Sequence, residues 1–153
     1  MSSRPAVPAD IPAIRHVLQD TALFPSELLE ELIHPFFHDD SHGEHWFVHD
    51  SDREGVIGFG FVRPEPLADG TWNLVAIGVR NHMQGRGVGA AMMRYVEEHL
   101  ADQRVLIVET SSVPEYARTR RFYSNLGFAH EATIRDYWAA GDDKVIFWKA
   151  FGV

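Results

Sequence analysis

The stretch QGRGVG, at positions 84–89, lies between a hydrophobic run, NLVAIGV, and an amphipathic segment, AAMMRYVEEHL. Its three glycines permit positive φ values and let a ligand approach the main chain closely. The first turn of a helix leaves N–H groups unpaired at the positive end of the helix dipole, and such groups bind phosphate. A strand, this stretch and a helix therefore predict a pyrophosphate-binding loop, with a flexible glycine-rich turn as the alternative.

Two familiar phosphate-binding loops do not match this stretch. A Walker loop ends in Gly-Lys-Ser/Thr, whereas Gly89 is followed by Ala90 and Ala91. The Rossmann fingerprint is G-x-G-x-x-G, whereas the glycines here follow G-x-G-x-G. The stretch also lies in the middle of the chain, without the βαβ context and acidic residue that the Rossmann fingerprint requires.

The composition is that of an ordinary globular protein and predicts one domain over residues 1–153. The absence of cysteine excludes disulfides, thiolate metal ligands and a cysteine nucleophile. No apolar run approaches the roughly 20 residues of a membrane span, and the N-terminus lacks a signal-peptide core, so we expect a cytoplasmic location. The net charge of −8 argues against a nucleic-acid partner and is compatible with a cationic amine, although solubility alone also explains it.

Hydrophobic periodicity and turn residues predict the order β-α-α-β-β-β-α-β-α-β-β, a mixed α/β or α+β fold with helices on the faces of the sheet. We expect Asp10 and Ser26 to cap the first two helices. The predicted strands are 3–7, 45–50, 56–63, 71–79, 104–110, 129–138 and 144–151. The first predicted helix begins after Asp10, and the other three cover 26–37, 88–103 and 114–126.

A second motif accompanies the glycine stretch. QGRGVG matches the pattern Q/R-x-x-G-x-G/A, and RFYSNLGF at 121–128 matches F/L-Y-x-x-x-G-F. Both patterns, in this order and separation, are typical of the GNAT acetyltransferase superfamily, which the chain resembles over nearly its whole length. The resemblance implies a mixed, mostly antiparallel sheet of about six to seven strands flanked by about four helices.

The resemblance also implies that acetyl-coenzyme A is the cosubstrate and that no metal is needed. The pyrophosphate would be bound by the backbone of Gln84, Gly85, Arg86, Gly87, Val88, Gly89 and Ala90, and the pantetheine arm by Ile77, Gly78 and Val79. Many members carry an Asn seven residues before the motif tyrosine, where this chain has Tyr116. Residues 111–115 also form a slightly longer segment than is usual, so cofactor contacts here differ from the family pattern.

Two residues are catalytic candidates. Tyr123 matches the family tyrosine near the coenzyme sulfur, where a phenol can protonate the leaving thiolate; the alternative is a core aromatic. Glu109 ends the buried run VLIV, at a position where some members carry a glutamate that deprotonates the amine. An ion pair, a loop-capping role for Glu109 and a water relay remain alternatives.

Five histidines, His34, His38, His42, His45 and His49, fall within a short span. Nothing in their spacing imposes a convergent geometry, so we expect no metal site. In the family this region walls the acceptor pocket, which the histidines would then line. Trp46, Phe47, Trp72 and Trp138 are candidate aromatic walls there, although most such residues are core.

The function that follows is acetyl-coenzyme A-dependent N-acetylation, with direct transfer to a primary amine of a small molecule or peptide. No cysteine and no G-x-S-x-G elbow is present to form a familiar acyl-enzyme. The alternatives are a catalytically silent coenzyme A-binding sensor or regulatory module and a longer acyl donor. Dimers are common in the family, which leaves a homodimer open, and the acceptor is not encoded in any motif.

Overall fold

The computed structural model describes residues 1–38 and 43–151. Within them the chain forms β1 (Ser2–Pro5), α1 (Ile11–Thr21), α2 (Leu29–Phe37), β2 (His45–Ser51), β3 (Gly55–Pro64), β4 (Thr71–Val79), α3 (Val88–His99), β5 (Val105–Ser111), α4 (Ala117–Asn125), β6 (Ala129–Ala139) and β7 (Asp142–Ala150). The predicted order of strands and helices is confirmed.

The seven strands follow the order β1-β2-β3-β4-β5-β7-β6 in one sheet. β4 and β5 are parallel, with Thr71 opposite Val105 and Leu74 opposite Val108. The ladders β1–β2, β2–β3, β5–β7 and β6–β7 are antiparallel. The predicted mixed, mostly antiparallel sheet is therefore confirmed.

The chain divides into two compact units. The first comprises Met1–Pro64 and Val75–His99, and the second comprises Glu65–Leu74 and Leu100–Val153. β4 contributes to both, because its first four residues belong to the second unit. The single domain over 1–153 stays a prediction.

Asp10 and Ser26 do not cap helices as predicted, since neither side chain makes a capping hydrogen bond. The Asp10 carboxylate instead accepts hydrogen bonds from the Val7 amide (2.9 Å) and from both terminal nitrogens of Arg4 (2.8 and 3.0 Å). Burial opposes ionisation of Asp10, but the bonds from Arg4 and Val7 lower its pKa overall. Ser26 begins a 3-10 turn, and its carbonyl accepts a bond from Arg15.

Two predicted helices are shorter than expected. α3 ends at His99 rather than at 103. After it the chain turns, and the side chain of Gln103 accepts a 2.9 Å hydrogen bond from the Trp72 indole. The segment before α4 begins as a 3-10 turn, Pro114–Tyr116.

The core of the first unit lies between β2, β3 and the first two helices. Ile14, Val17 and Leu18 of α1 recur at helical spacing and are fully buried, as the periodicity predicts. Trp46 stacks on Phe61 with ring centroids 4.2 Å apart. Trp46 and Phe47 are both 0 % exposed, which makes them core residues and not walls of an open pocket.

Alternate residues of β2 face α3 instead. The Nε2 atom of His45 lies 2.8 Å from the Tyr95 hydroxyl, and Phe47 packs on the Tyr95 ring at 4.9 Å. Gly60 makes room for Phe47, because a Cβ atom at position 60 would lie 2.2 Å from its ring. Gly58 leaves similar space for the sulfur of Met92. These two glycines let α3 lie close on the sheet, and so set the position of the loop at its start.

The second unit has its own aromatic core. The Tyr123 ring on α4 lies 5.6 Å from the rings of both Phe128 and Phe147. Leu106 and Val108 of β5 are buried in the same unit. RFYSNLGF, recognised as a motif, thus supplies the apolar contacts that attach α4 to this part of the sheet.

Within the part of the chain that the structure describes, no helix is both long and apolar enough to cross a membrane.

His45 makes stability depend on pH. Burial and the neighbouring charge of His99 lower its pKa from 6.5 to about 4. Between these values the unfolded chain binds a proton that the folded chain does not, so stability falls as pH drops from 6.5 to 4 and is unaffected by this group above 6.5. We expect His45→Asn to remove on the order of 2–3 kcal/mol of this pH dependence, measured by denaturant unfolding at several pH values.

The exposed His16 of α1 provides the matched control. His16→Asn should keep the wild-type pH dependence. An unchanged slope in His45→Asn would show that His45 does not carry the effect.

Candidate functional site

The glycine stretch forms an exposed loop that leads from the end of β4 into α3. Gly85 and Gly87 have φ values of +75° and +83°, in the left-handed region that favours glycine. The Ala91 amide bonds the Gly87 carbonyl (3.0 Å), which makes it the first helical hydrogen bond. Among the described residues, no partner is seen for the amides of residues 85–90. The loop therefore presents consecutive free N–H groups at a helix start, an arrangement that binds phosphate.

Asp20, at the end of α1, fastens the segment before this loop. Its carboxylate accepts hydrogen bonds from Arg80 (2.8 Å) and from the Asn81 amide (3.0 Å). The bonds from Asn81 and Arg80 lower the pKa of Asp20, which therefore stays ionised.

The Gln84 side chain donates its hydrogen bonds to the segment just before the loop. Its Nε2 atom bonds the Val79 carbonyl (3.1 Å) and the Asn81 side chain (3.3 Å). Gln84 therefore shapes the loop, and only its backbone remains for an anion. The Arg86 side chain is exposed.

The end of β4 carries Ile77, Gly78 and Val79, the predicted pantetheine positions. β4 pairs with β5 over residues 71–74 and continues beyond that pairing to Val79. Gly78 faces α1, because a Cβ there would lie 2.9 Å from Leu23 and 3.2 Å from Val17. A larger residue would push α1 away from this end of the strand.

Tyr123 is 4 % exposed and lies among the aromatic rings of the second unit. Burial raises the pKa of its hydroxyl above the usual 10. A phenol is protonated at neutral pH even at its usual pKa, and burial strengthens this preference. The role of Tyr123 as a proton donor stays a prediction.

Glu109 is part of an ion pair. Its Oε1 atom lies 3.0 Å from Nζ of Lys144, a residue only 8 % exposed. The two residues are diagonal neighbours, since Glu109 lies opposite Ile146 and Lys144 opposite Ser111. The alternative of an ion pair, noted from the sequence, is thus present, and the role of Glu109 as a base stays a prediction.

Two aromatic rings complete the surroundings of Lys144. Its Nζ lies 4.1 Å from the centroid of the Tyr137 ring and 5.7 Å from that of Trp138. Burial opposes the charge, but the hydrogen bonds with Glu109 and Tyr137 raise the pKa of Lys144 overall. A permanent cation therefore sits beside the candidate base.

Tyr116 ends the 3-10 turn before α4 and is 40 % exposed. Arg120 holds the preceding segment by donating to the carbonyls of Ser111 (2.7 Å) and Val113 (2.9 Å). The longer connection between β5 and α4 is therefore internally braced, and Tyr116 projects from a defined position.

The four described histidines of this segment do not gather at one place. The rings of His34 and His38 stack 3.9 Å apart, and His38 bonds the carbonyl of His34. His49 is buried, with Nδ1 2.9 Å from the Ser3 hydroxyl. His42 lies outside the described residues. Within 1–38 and 43–151, no group of three or more metal-ligating side chains is arranged to hold an ion.

Sequence reasoning missed Asp20 and Lys144. Asp20 lies far from the glycine stretch in sequence, and no motif marks it. Lys144 becomes a partner of Glu109 only through the register of β5 and β7, which depends on three-dimensional pairing. Lys144 precedes the unbroken apolar run VIFW, and no polar–apolar alternation marks the face on which its side chain lies.

Comparison with known proteins gives the class. The model of the Acetyltransferase (GNAT) family matches residues 11–128. This chain belongs to that family. The match contains both the glycine loop and Tyr123.

Solved structures share the fold over nearly the whole chain. A GNAT-family protein from Desulfovibrio desulfuricans is 31% identical, with a TM-score of 0.88 over 97% of this chain and 98% of that one. The ribosomal-protein-S18-alanine N-acetyltransferase of Escherichia coli is 18% identical, with a TM-score of 0.79 over 99% and 94% of the two chains. A spermidine N-acetyltransferase from Vibrio cholerae, solved with CoA and spermine, is 15% identical, with a TM-score of 0.80 over 97% and 94% of the two chains. Comparison with the curated proteins gave no match.

Proposed function

We propose that the protein is an acetyl-coenzyme A-dependent N-acetyltransferase that acetylates a primary amine of a small molecule or peptide. The observation that carries the proposal is the loop at the start of α3, where Gly85 and Gly87 adopt positive φ and the following amides have no partner within residues 1–38 and 43–151. Family membership supports it, as does the crystallisation of the Vibrio cholerae relative with CoA.

Binding would use the main chain of the first unit. The free amides of residues 85–90 would bind the pyrophosphate, assisted by the Arg86 side chain. The backbone of Ile77, Gly78 and Val79 lies beyond the part of β4 that pairs with β5, and it would pair with the pantetheine arm. A main-chain N–H of the same segment would polarise the thioester carbonyl.

Chemistry would use Tyr123 and Glu109. The neutral amine attacks the thioester carbon, the carbon–sulfur bond breaks, and the leaving thiolate takes a proton from the Tyr123 hydroxyl. Glu109, or a water next to it, accepts the proton that the amine loses. Tyr116 would contact the pantetheine in place of the usual Asn. The charge of −8 favours a cationic amine that is deprotonated on binding.

One observation favours the alternative of a coenzyme A-binding sensor without turnover. Lys144 already pairs with Glu109, as a purely structural carboxylate would. Release of free thiol from acetyl-coenzyme A with a panel of amines separates the two functions, because a sensor binds the coenzyme without releasing thiol.

Gly87→Val should weaken coenzyme A binding at least tenfold in calorimetry, because a branched side chain disfavours positive φ and fills the approach to the loop amides. Gly141→Val is the matched control: Gly141 also has positive φ (+79°) and nothing within 4 Å of a Cβ, but lies in the β6–β7 turn. Both variants should lose about 1–2 kcal/mol of stability, and only the first should lose affinity. Equal coenzyme A affinity in the two variants contradicts the proposed role of the loop in binding. So does the absence of binding heat from the wild type at millimolar coenzyme A.

Tyr123→Phe should lower kcat by about 10²- to 10⁴-fold while coenzyme affinity stays within a factor of about two, because the ring remains and only the proton donor is removed. Steady-state kinetics and calorimetry measure the two quantities. Tyr95→Phe, which removes the hydroxyl bonded to His45, should leave kcat unchanged. A normal kcat in Tyr123→Phe excludes the phenol as the acid.

Glu109→Gln and Lys144→Met separate a base from a structural ion pair. If Glu109 accepts the proton, Glu109→Gln lowers kcat about 100-fold or more, whereas Lys144→Met, which keeps the carboxylate, retains most of it. Kinetics on both variants, with unfolding curves to correct for stability, provide the measurement. Equal losses of kcat in the two variants would show that Glu109 acts through its ion pair with Lys144 and not as a base.

A further inference from the structure

The final part of α1 contacts the chain where β4 ends. A Cβ atom at Gly78 would lie 3.2 Å from Val17, so the helix packs directly on the strand at this point. Just beyond the end of β4, the Asp20 carboxylate accepts hydrogen bonds from Arg80 and Asn81. α1 therefore contacts this part of the chain at two neighbouring points, shortly before the glycine loop.

A single oxygen of Asp20 makes both contacts with the turn that follows β4. Oδ2 accepts a 2.8 Å hydrogen bond from Nε of Arg80 and a 3.0 Å bond from the Asn81 amide. The Asp20 side chain is only 21% exposed, and hydrogen bonds to a carboxylate that is partly shielded from water are stronger than bonds between neutral groups. Asp20 and Asn81 are 61 residues apart, so this contact fixes the turn relative to a distant helix.

Further hydrogen bonds connect Asn81 to the glycine loop. The Gln84 amide donates to the Asn81 carbonyl (3.3 Å), and the Gln84 side chain donates to the Asn81 side chain (3.3 Å). Gly85, the first residue of the loop with positive φ, follows Gln84 directly. The position of Asn81 therefore sets that of Gln84 and, through it, the direction of the loop amides that follow.

The other contacts of this turn constrain Asn81 less than Asp20 does. The amide of the residue before Asn81 bonds the Ile57 carbonyl of β3 (2.8 Å), which fixes the chain up to that residue. Within the turn, His82 lies 2.7 Å from Glu54 of the β2–β3 connection, but both side chains are about half exposed. Ion pairs that water reaches in this way contribute little. The partly buried bond to Asp20 is therefore the stronger constraint on the turn.

We infer that Asp20 is a positioning residue for coenzyme binding, which fixes the turn at Asn81 so that the amides of residues 85–90 point toward the pyrophosphate. This inference rests on the proposed function, because it concerns the loop that the proposal assigns to the coenzyme. A loop that is already oriented loses less conformational freedom on binding than one that the ligand must order. Since Asp20 acts through Asn81, its effect should appear in the affinity for the coenzyme.

Asp20→Ala tests the inference by calorimetry with coenzyme A. We expect the dissociation constant to rise about tenfold, because the loop amides are no longer oriented before binding. Alanine is a strong helix former, so the change does not lower the helix propensity of α1. Asp20→Asn keeps an acceptor oxygen at the same place and should bind coenzyme A more tightly than Asp20→Ala. Circular dichroism melts show whether each variant is folded.

Asp10→Ala is the matched control. Asp10 lies at the opposite end of α1, and its carboxylate also accepts hydrogen bonds from an arginine side chain and a backbone amide, those of Arg4 and Val7. This variant should also lose stability, while its affinity for coenzyme A stays within a factor of about two. An equal loss of affinity in Asp20→Ala and Asp10→Ala overturns the inference, because general destabilisation would then explain both.

Hydrogen exchange in the wild type gives a second test that needs no variant. The Ala22 amide bonds the Leu18 carbonyl at the end of α1 (2.8 Å). Opening of this end separates Asp20 from the turn, and a ligand that binds the oriented loop opposes that opening. Saturating coenzyme A should therefore slow exchange of the Ala22 amide about threefold or more. The His38 amide, which bonds the His34 carbonyl at the end of α2, is the reference and should be slowed less.

The outcomes separate this inference from the proposed function. A wild type that gives no binding heat with coenzyme A overturns both. A wild type that binds coenzyme A, together with an Asp20→Ala variant of equal affinity, overturns the inference and leaves the proposed function intact. Exchange at Ala22 that coenzyme A slows no more than exchange at His38 also overturns the inference alone.

Discussion

The positive φ angles of Gly85 and Gly87 are the constraint on which the candidate site depends. They turn the chain from the end of β4 into α3 while leaving successive amides without partners in the part of the chain that the structure describes. Much of the first unit supports that turn. Asp20 secures the segment before it, Gln84 braces it from within, and Gly58 lets α3 lie close on the sheet. An anion site made of main-chain groups needs such support, because its donors have no side-chain freedom to adjust.

The second unit places two titratable groups in different surroundings. Burial among rings raises the pKa of the Tyr123 phenol, whereas Glu109 lies beside the Lys144 ammonium, which contacts aromatic faces. The proposed proton donor and the proposed base therefore lie in distinct environments, a pattern common in enzymes that run acid and base chemistry at one pH. The Glu109–Lys144 ion pair is a charge arrangement that the two sequence motifs do not specify.

Much of the fold could be predicted from the sequence because its signals are local. Helical spacing of Ile14, Val17 and Leu18 marks α1, and the run from Thr71 to Val79 marks β4 with both ends correct. The ends of elements were less accurate where tertiary bonds decide them. Asp10 has a side chain suited to a helix cap, but it bonds Arg4 across the β1–α1 connection instead, and α3 stops four residues early. Partners such as Lys144 could not be predicted, since strand register is a long-range property that no single segment encodes.

Phe47 of β2 and Gly60 of β3 lie opposite each other and compete for the same space. The Phe47 ring fills the space that a side chain at position 60 would need. A Cβ atom there would lie only 2.2 Å from the nearest carbon of the ring. Any residue larger than glycine at position 60 therefore requires a smaller side chain at position 47. Steric exclusion thus couples the residue choice on two separate strands.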